Sequence, residues 1–454
     1  MAGLAVDYAY RYRYASMLTP HAGRSRLQLA TFGGCVLNPY FFEGRLVQPR
    51  RIANLLLGLM EIVHARYHVP PAMLAKIKRL ADPVVTCSDD RLRFEGFSGC
   101  CSTYARVDLL PEAVEGEAFG RGTTNVDFND AMMTALARVR DSDPVSLSVG
   151  ADEVKLANAE SEVIEKKVAL PVRWLKGFVE VQSYQSRMQP VHEVAGVEAM
   201  RFLRGLPRAK SRHPAWIVPS GRGLRLSQIR SAEGVRVAGL ERLRVLESLS
   251  AQARQLRIFG DEQAETAAFE LVMDDARFHL VLSPDVYRGF SGEGQALALL
   301  ASDSWQTAVP KVRKALRWDA VIDPEALVRS TRLTPEVVSA ALAALGARGI
   351  VGYDLGASAY FHRELPFDLS LLDDHQPRLK AARKLIEDGK VRLGATTENQ
   401  QELFVAGTYV EHRVRLTSSE SRCTCPWFSK YQGQRGPCKH ILAAQMYVDR
   451  AESA

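Results

Sequence analysis

The chain has 454 residues, 46% hydrophobic and 24% charged, a composition suited to a soluble globular protein of about three domains. Nothing approaches eighteen consecutive apolar residues, so no membrane span is expected, and residues 1–14 lack the basic and apolar regions of a signal peptide. The net charge of +7 is unevenly placed: residues 201–260 hold twelve Arg and one Lys against Glu233, Glu241 and Glu247, a local balance of +10, leaving −3 elsewhere.

Taken in order, residues 8–14 alternate Tyr with Ala or Arg. That pattern suits either nucleobase stacking or an amphipathic strand with its tyrosines inward, and the strand is the reading adopted. Residues 51–69 predict a helix with Ile52, Leu55, Leu56, Leu59, Ile62, Val63 and Arg66 on one stripe. His64 and His68 are four apart, but no third ligand lies nearby, so they read as helix surface. A disulfide between adjacent Cys100 and Cys101 would be strained, and both read as packed thiols. Gly96-Phe97-Ser98-Gly99 and Gly289-Phe290-Ser291-Gly292 lack the second glycine of a Gly-x-Ser-x-Gly elbow, which excludes a serine hydrolase of that type. No Gly-x-x-x-x-Gly-Lys-Ser/Thr loop occurs, so the chain is not a P-loop ATPase.

The polar run at residues 122–129 suits a phosphate or hydroxylated ligand, or a set of helix N-caps before Met132, Leu136 and Val139; capping is the reading adopted. Val145, Leu147 and Val149 alternate as a strand, while Trp174, Phe178, Val181 and then Val197, Met200, Leu203 predict two helices. Residues 208–236 are rich in Gly, Pro and Arg and predict an exposed loop or domain junction. Arg208, Arg212, Arg222 and Arg225 there can meet phosphate or an acidic protein face, or stand as scattered solvated charges; both readings stay open. A helix through Leu240, Leu243 and Leu246 follows, then a hairpin turning at Asp274-Asp275.

Asp323-Pro324 and Thr334-Pro335 each place a capping oxygen before a first-turn proline, predicting two helices. The second buries Val338, Ala341, Leu342 and Leu345, and two strands at residues 350–355 and 359–364 follow. Helix, turn, helix and a two-stranded hairpin resemble the winged-helix family. The second helix would then be the recognition helix, yet it offers only Glu336, Ser339 and Arg348 as polar groups. Reading base edges needs Arg, Lys, Asn or Gln. Its Val337, Ala340, Ala343, Ala344 and Ala347 suit docking against protein instead.

The chemistry is most explicit at the C-terminus. Cys423-Thr424-Cys425 and Cys438-Lys439-His440 put three of the seven cysteines and a histidine within eighteen residues, the ligand set of a structural zinc ion. Residues 408–416 alternate as a strand before them, residues 426–437 read as a loop, and residues 439–448 predict a helix that opens at the second ligand pair. Strand, Cys-x-Cys, loop and Cys-x-His opening a helix resemble the SWIM zinc finger family over residues 408–448. The resemblance implies one structural zinc held by Cys423, Cys425, Cys438 and His440, and an association with either DNA or protein. Four protein ligands leave no open position for catalysis. Arg422, Lys430, Arg435 and Lys439, with no acidic residue among them, are candidate contacts to an anionic partner.

These readings predict a multidomain α+β protein: an N-terminal domain over 1–207, an Arg-rich middle over 208–317, the winged-helix-like module over 318–367, and a C-terminal region over 368–454 with its finger at about 405–450. The odd cysteine count and the thiolate site argue for a reducing, cytoplasmic setting. The expected function is a non-enzymatic protein–protein adaptor. Long bacterial SWIM proteins of this kind are often encoded beside MoxR-type AAA+ ATPases and von Willebrand factor A proteins, and the resemblance implies such a partner. The alternative is a DNA-binding protein that uses the finger and the Arg-rich middle.

Overall fold

The computed structural model describes residues 17–21, 24–29, 31–32, 42–68, 82–117, 120–126, 128, 130–149, 171–211, 213–261, 265–301, 307–365, 376–397, 399–417 and 420–453. The tyrosine-rich stretch 8–14 lies outside them, as do Asp127, Asn129 and Arg212.

The centre is a nine-stranded antiparallel sheet. In chain order its strands are β1 (Thr31–Phe32), β2 (Val84–Cys87), β3 (Leu92–Phe97), β4 (Thr103–Leu109), β5 (Gly122–Val126), β6 (Gln189–Ala195), β7 (Gln255–Asp261), β8 (Thr266–Val272) and β9 (Ala276–Leu282). They lie in the order β6-β7-β8-β9-β4-β3-β2-β5-β1. Strands β8 and β9 form the hairpin expected around Asp274-Asp275. The join between β9 and β4 pairs Ala276 with Leu109 and Leu282 with Thr103. The sheet therefore crosses the junction expected near residue 208, because strands from both sides of it share one ladder. The Gly- and Arg-rich stretch forms a small sheet instead (Ala215–Ser220, Gly223–Ser227, Val235–Val237), an excursion between β6 and β7. Glycine and proline mark turns whether those turns separate domains or decorate one.

The apolar stripe predicted at residues 51–69 forms α1 (Pro49–His64), whose first-turn proline pre-sets the helical φ. Ile52, Leu55, Leu56, Leu59 and Ile62 are each 0% exposed, and the helix packs on β3 and β4. Burial of each such side chain contributes about 1.5–3 kcal/mol. Helix α2 (Val172–Gln185) brings Trp174 and Phe178 to the other side of Phe97, with the Phe97 and Phe178 rings 5.0 Å apart. Thr123, in the polar run read as helix N-caps, lies in β5 instead, and its Oγ1 accepts a hydrogen bond from the Glu364 backbone at 3.2 Å.

Three helices and a hairpin follow: α3 (Ala308–Ala315), α4 (Pro324–Thr331), α5 (Pro335–Gly346), β10 (Val351–Asp354) and β11 (Ala359–His362). Both predicted caps form: Asp323 accepts from Glu325 N at 2.9 Å, and Thr334 accepts from Val337 N at 3.5 Å. Val312, Leu327, Val338, Leu342 and Leu345 share one core, so α3 belongs to this module although it precedes residue 318. The face of α5 expected to dock a partner is partly spent. Ala344 and Ala347 are buried because the C-terminal half of α5 packs on α2, which leaves Glu336, Val337, Ser339 and Ala340 exposed. The hairpin is not a free wing either: Phe361 is fully buried, and its ring lies 4.1 Å under the Arg93 guanidinium of β3.

The C-terminal region comprises α6 (Pro377–Glu387), a four-stranded sheet β12 (Val391–Thr397), β13 (Gln400–Ala406), β14 (Glu411–Leu416), β15 (Ser421–Cys423), and then α7 (Pro426–Tyr431) and α8 (Lys439–Ser453). The strand expected from residue 408 begins at Glu411. Among the described residues no helix is long and apolar enough to cross a membrane.

Candidate metal centre

The Cys-x-Cys pair sits where β15 ends, and the Cys-x-His pair opens α8. Backbone geometry places each ligand. Cys423 is the last residue of β15 and pairs with Val414, while Cys425 is the N-cap of α7, its Sγ accepting from Phe428 N at 3.4 Å. Residues 426–437, expected as a loop, thus begin with a short helix, which Pro426 at its first position favours. Cys438 Sγ accepts from Ile441 N at 3.5 Å in the same way. These N–H groups favour thiolate over thiol.

One ligand atom from each of Cys423, Cys425, Cys438 and His440 lies within 4.8 Å of all the others, and all four residues are buried. His440 Nδ1 is 3.9 Å from Cys423 Sγ, and its Nε2 is buried with no hydrogen-bond partner. Contact with Cys423 and then Cys438 pushes the Cys425 thiol well below its ordinary range, whereas contact with Cys425 and then Cys438 pushes Cys423 well above it. Three thiolates this close would repel one another, and a bound cation would offset that repulsion. The donor set fits a divalent ion of tetrahedral preference, and closed coordination gives it a structural role. His412 lies beside His440, ring centroids 4.4 Å apart with the rings tilted, and burial followed by the His440 charge pushes its imidazole down.

The sequence model of the SWIM zinc finger matches residues 412–446. This segment is a SWIM zinc finger. Its Cys423, Cys425, Cys438 and His440 are positioned to bind one zinc ion. No curated protein matches the chain. Many solved structures are similar to part of it. One is the proliferating cellular nuclear antigen from Entamoeba histolytica, with 9% identity and a TM-score of 0.33 over 54% of this chain and 99% of that one. Another is the PCNA2–PCNA3 complex from Sulfolobus tokodaii, with 10% identity and a TM-score of 0.35 over 54% of this chain and 99% of that one.

The finger's basic residues do not share one role. Arg422 is exposed and pairs with Glu420 at 2.8 Å, and Lys430 is exposed with its Nζ 5.1 Å from the Tyr431 ring. Lys439 is half-buried in the first turn of α8. Arg435 turns inward and donates to the Gly292 carbonyl at 2.8 Å, so it is a structural contact where a partner contact was expected. In the Arg-rich middle, Arg208 is exposed and pairs with Glu247 at 3.3 Å, while Arg222 and Arg225 are exposed on the hairpin of the small sheet. Several neighbours are committed internally. Arg242 is fully buried and donates to the Ser102 carbonyl at 2.8 Å, and Arg236 pairs with Asp285 at 3.1 Å.

A second group, Asp108, His279 and Asp354, also has metal-sized spacing. Here the positive charge already comes from the chain: Arg106 binds both oxygens of Asp108 at 2.8 Å, and Arg93 reaches Asp354 at 2.9 Å. Burial raises the Asp108 carboxyl, but Arg106 and then Arg93 outweigh it and hold the group well below the ordinary carboxylate range. The group is an ion-pair network that seats the β10–β11 hairpin on the sheet. Its sequence signal was the alternation Arg93, Glu95 and Arg106, Asp108 in two strands, which by itself marks a solvent face.

Proposed function

We propose that the chain is a zinc-stabilised, non-catalytic adaptor that binds a protein partner, an AAA+ ATPase or von Willebrand factor A protein being the first candidate. The observation that carries this reading is the commitment of the basic residues. A phosphate-binding face needs several uncommitted cations, whereas Arg236, Arg242, Arg254, Arg257 and Arg435 are each held by carboxylates or carbonyls of the chain itself. The finger also exposes apolar side chains at the turn between β13 and β14, with Tyr409 96% and Val410 61% accessible, which suits a protein face.

The test pairs two titrations of the full chain. A purified MoxR-type ATPase is expected to bind, and Tyr409→Ala with Val410→Ser to weaken that binding. Duplex DNA is expected to bind weakly. A DNA affinity that falls with a log–log salt slope of several units, at about −0.9 per phosphate contact, would instead establish the DNA-binding alternative. In that case Arg222→Glu with Arg225→Glu would reduce the slope.

A further inference from the structure

Both ends of the segment 426–437 are zinc ligands, Cys425 and Cys438, and the segment itself is pressed against the body of the protein. Arg435 donates to Gly292 O at 2.8 Å, and Gln295 Nε2 donates to Gln434 O at 3.0 Å. Arg288 bridges the two sides, donating to both oxygens of Glu293 at 3.1 and 2.8 Å and to Gln434 O at 3.2 Å. Arg378 of α6 ties the seam together through Arg435 O at 2.8 Å, Pro437 O at 3.0 Å and Glu293 O at 2.8 Å. The backbones approach so closely that a Cβ on Gly436, at φ +77°, would lie 2.0 Å from Gly294 O. On the far side, Gln295 N donates to the buried carboxyl group of Glu180 in α2 at 2.8 Å.

Resting on the zinc-binding reading, we propose that the metal centre is a latch. Zinc fixes the two ends of segment 426–437 in the one arrangement that clamps residues 288–297 onto α2, and loss of the metal frees that segment together with the finger. Unpinned at Cys438, Arg435 and Gly436 lose their register with Gly292 and Gly294, since they precede that ligand by only three and two residues. Glu293, 3% exposed and held by Arg288 and Arg435, then opens to water. A cleft of about 440 Å³ walled jointly by Gln295, Phe428, Gln432, Ile441 and Gln445 exists only while the seam is closed. Coupling between two sites is reciprocal, so the seam in turn must tighten zinc binding.

The experiment is amide hydrogen exchange on the full chain, with metal content measured before and after chelation. Zinc removal is expected to speed exchange at residues 289–297 by about 5- to 150-fold, the range of ordinary coupling free energies. In the zinc-loaded protein, Arg435→Ala and Arg378→Ala are each expected to keep one zinc but speed exchange at the same amides. Chelator competition should then show zinc affinity lowered by a factor matching that loosening. Unchanged exchange at 289–297 after complete zinc removal overturns the latch, as does a loosened seam with unaltered zinc affinity. A chain that takes up no zinc at all overturns the metal reading, which the first metal measurement identifies separately. Should Arg378→Ala not fold, Arg435→Ala at the rim carries the same comparison.

Discussion

Arg363 and Glu95 lie 268 residues apart and meet at 2.6 Å with both side chains fully buried. The same Glu95 oxygen accepts the Tyr104 hydroxyl at 2.6 Å. One residue follows β11, the other belongs to β3, and their contact joins the helical module to the central sheet. Removing one partner of such a pair leaves a bare buried charge, which costs about 3–5 kcal/mol. Arg363→Ala is therefore expected to lower the unfolding free energy by that amount. Arg363→Met with Glu95→Gln should recover much of it, because neither residue then carries a charge. Urea denaturation of the three proteins makes the comparison, and a single variant as stable as wild type would contradict the fold described.

Glu180 should make the protein less stable as pH rises. Burial pushes its carboxyl up to about 8, the Ala296 N–H opposing that shift and the Glu293 charge adding to it. An unfolded glutamate titrates near 4.3. Between these values the folded state holds a proton that the unfolded state has lost, so stability falls across that window, by roughly 1.4 kcal/mol per pH unit at most. Glu180→Gln should flatten the decline between pH 5 and 8 and be relatively more stable at pH 8. Parallel stability–pH curves for the two proteins would show that Glu180 is not the group responsible.

Helix α5 offers a contrast between neighbours one turn apart. Ala340 is exposed, whereas Ala344 is fully buried. Ala340→Arg is expected to change stability by no more than about 0.5 kcal/mol, as surface substitutions do. Ala344→Arg should cost at least the roughly 1–3 kcal/mol of overpacking, and more for the unpaired charge. Thermal melts of both variants decide this. If Ala340→Arg also abolishes binding of the protein partner, the exposed first half of α5 contributes to the adaptor surface.

Cys425→Ser should release the zinc. The serine can still cap α7, but it supplies no thiolate, and bound zinc contributes roughly 10–16 kcal/mol of apparent binding free energy in small fingers. Metal analysis is expected to fall from one zinc per chain to none, with loss of protected amides in α8. Full retention of zinc in this variant would remove Cys425 from the ligand set.

What the sequence determined by itself is local. The Cys-x-Cys and Cys-x-His spacings specified the metal ligands, since tetrahedral coordination needs only four donors and a segment able to turn between them. The Asp323-Pro324 and Thr334-Pro335 pairs specified two helix starts, and the three- and four-residue spacing of Ile52 to Val63 specified α1, because caps and helix faces are set by residues within a turn of each other. Tertiary structure alone decided what each face meets. Arg93, Glu95, Arg106 and Asp108 alternate with apolar residues as an exposed strand face would, yet Asp354 of the β10–β11 hairpin and Arg363 just after it cover them. Arg435 looked like a contact for an outside partner and proved to be bound by Gly292, 143 residues away. Alternation and charge report only that a side chain needs polar company. Whether water, a partner or a distant part of the same chain supplies it depends on the packing of the whole molecule, which no local window of sequence contains.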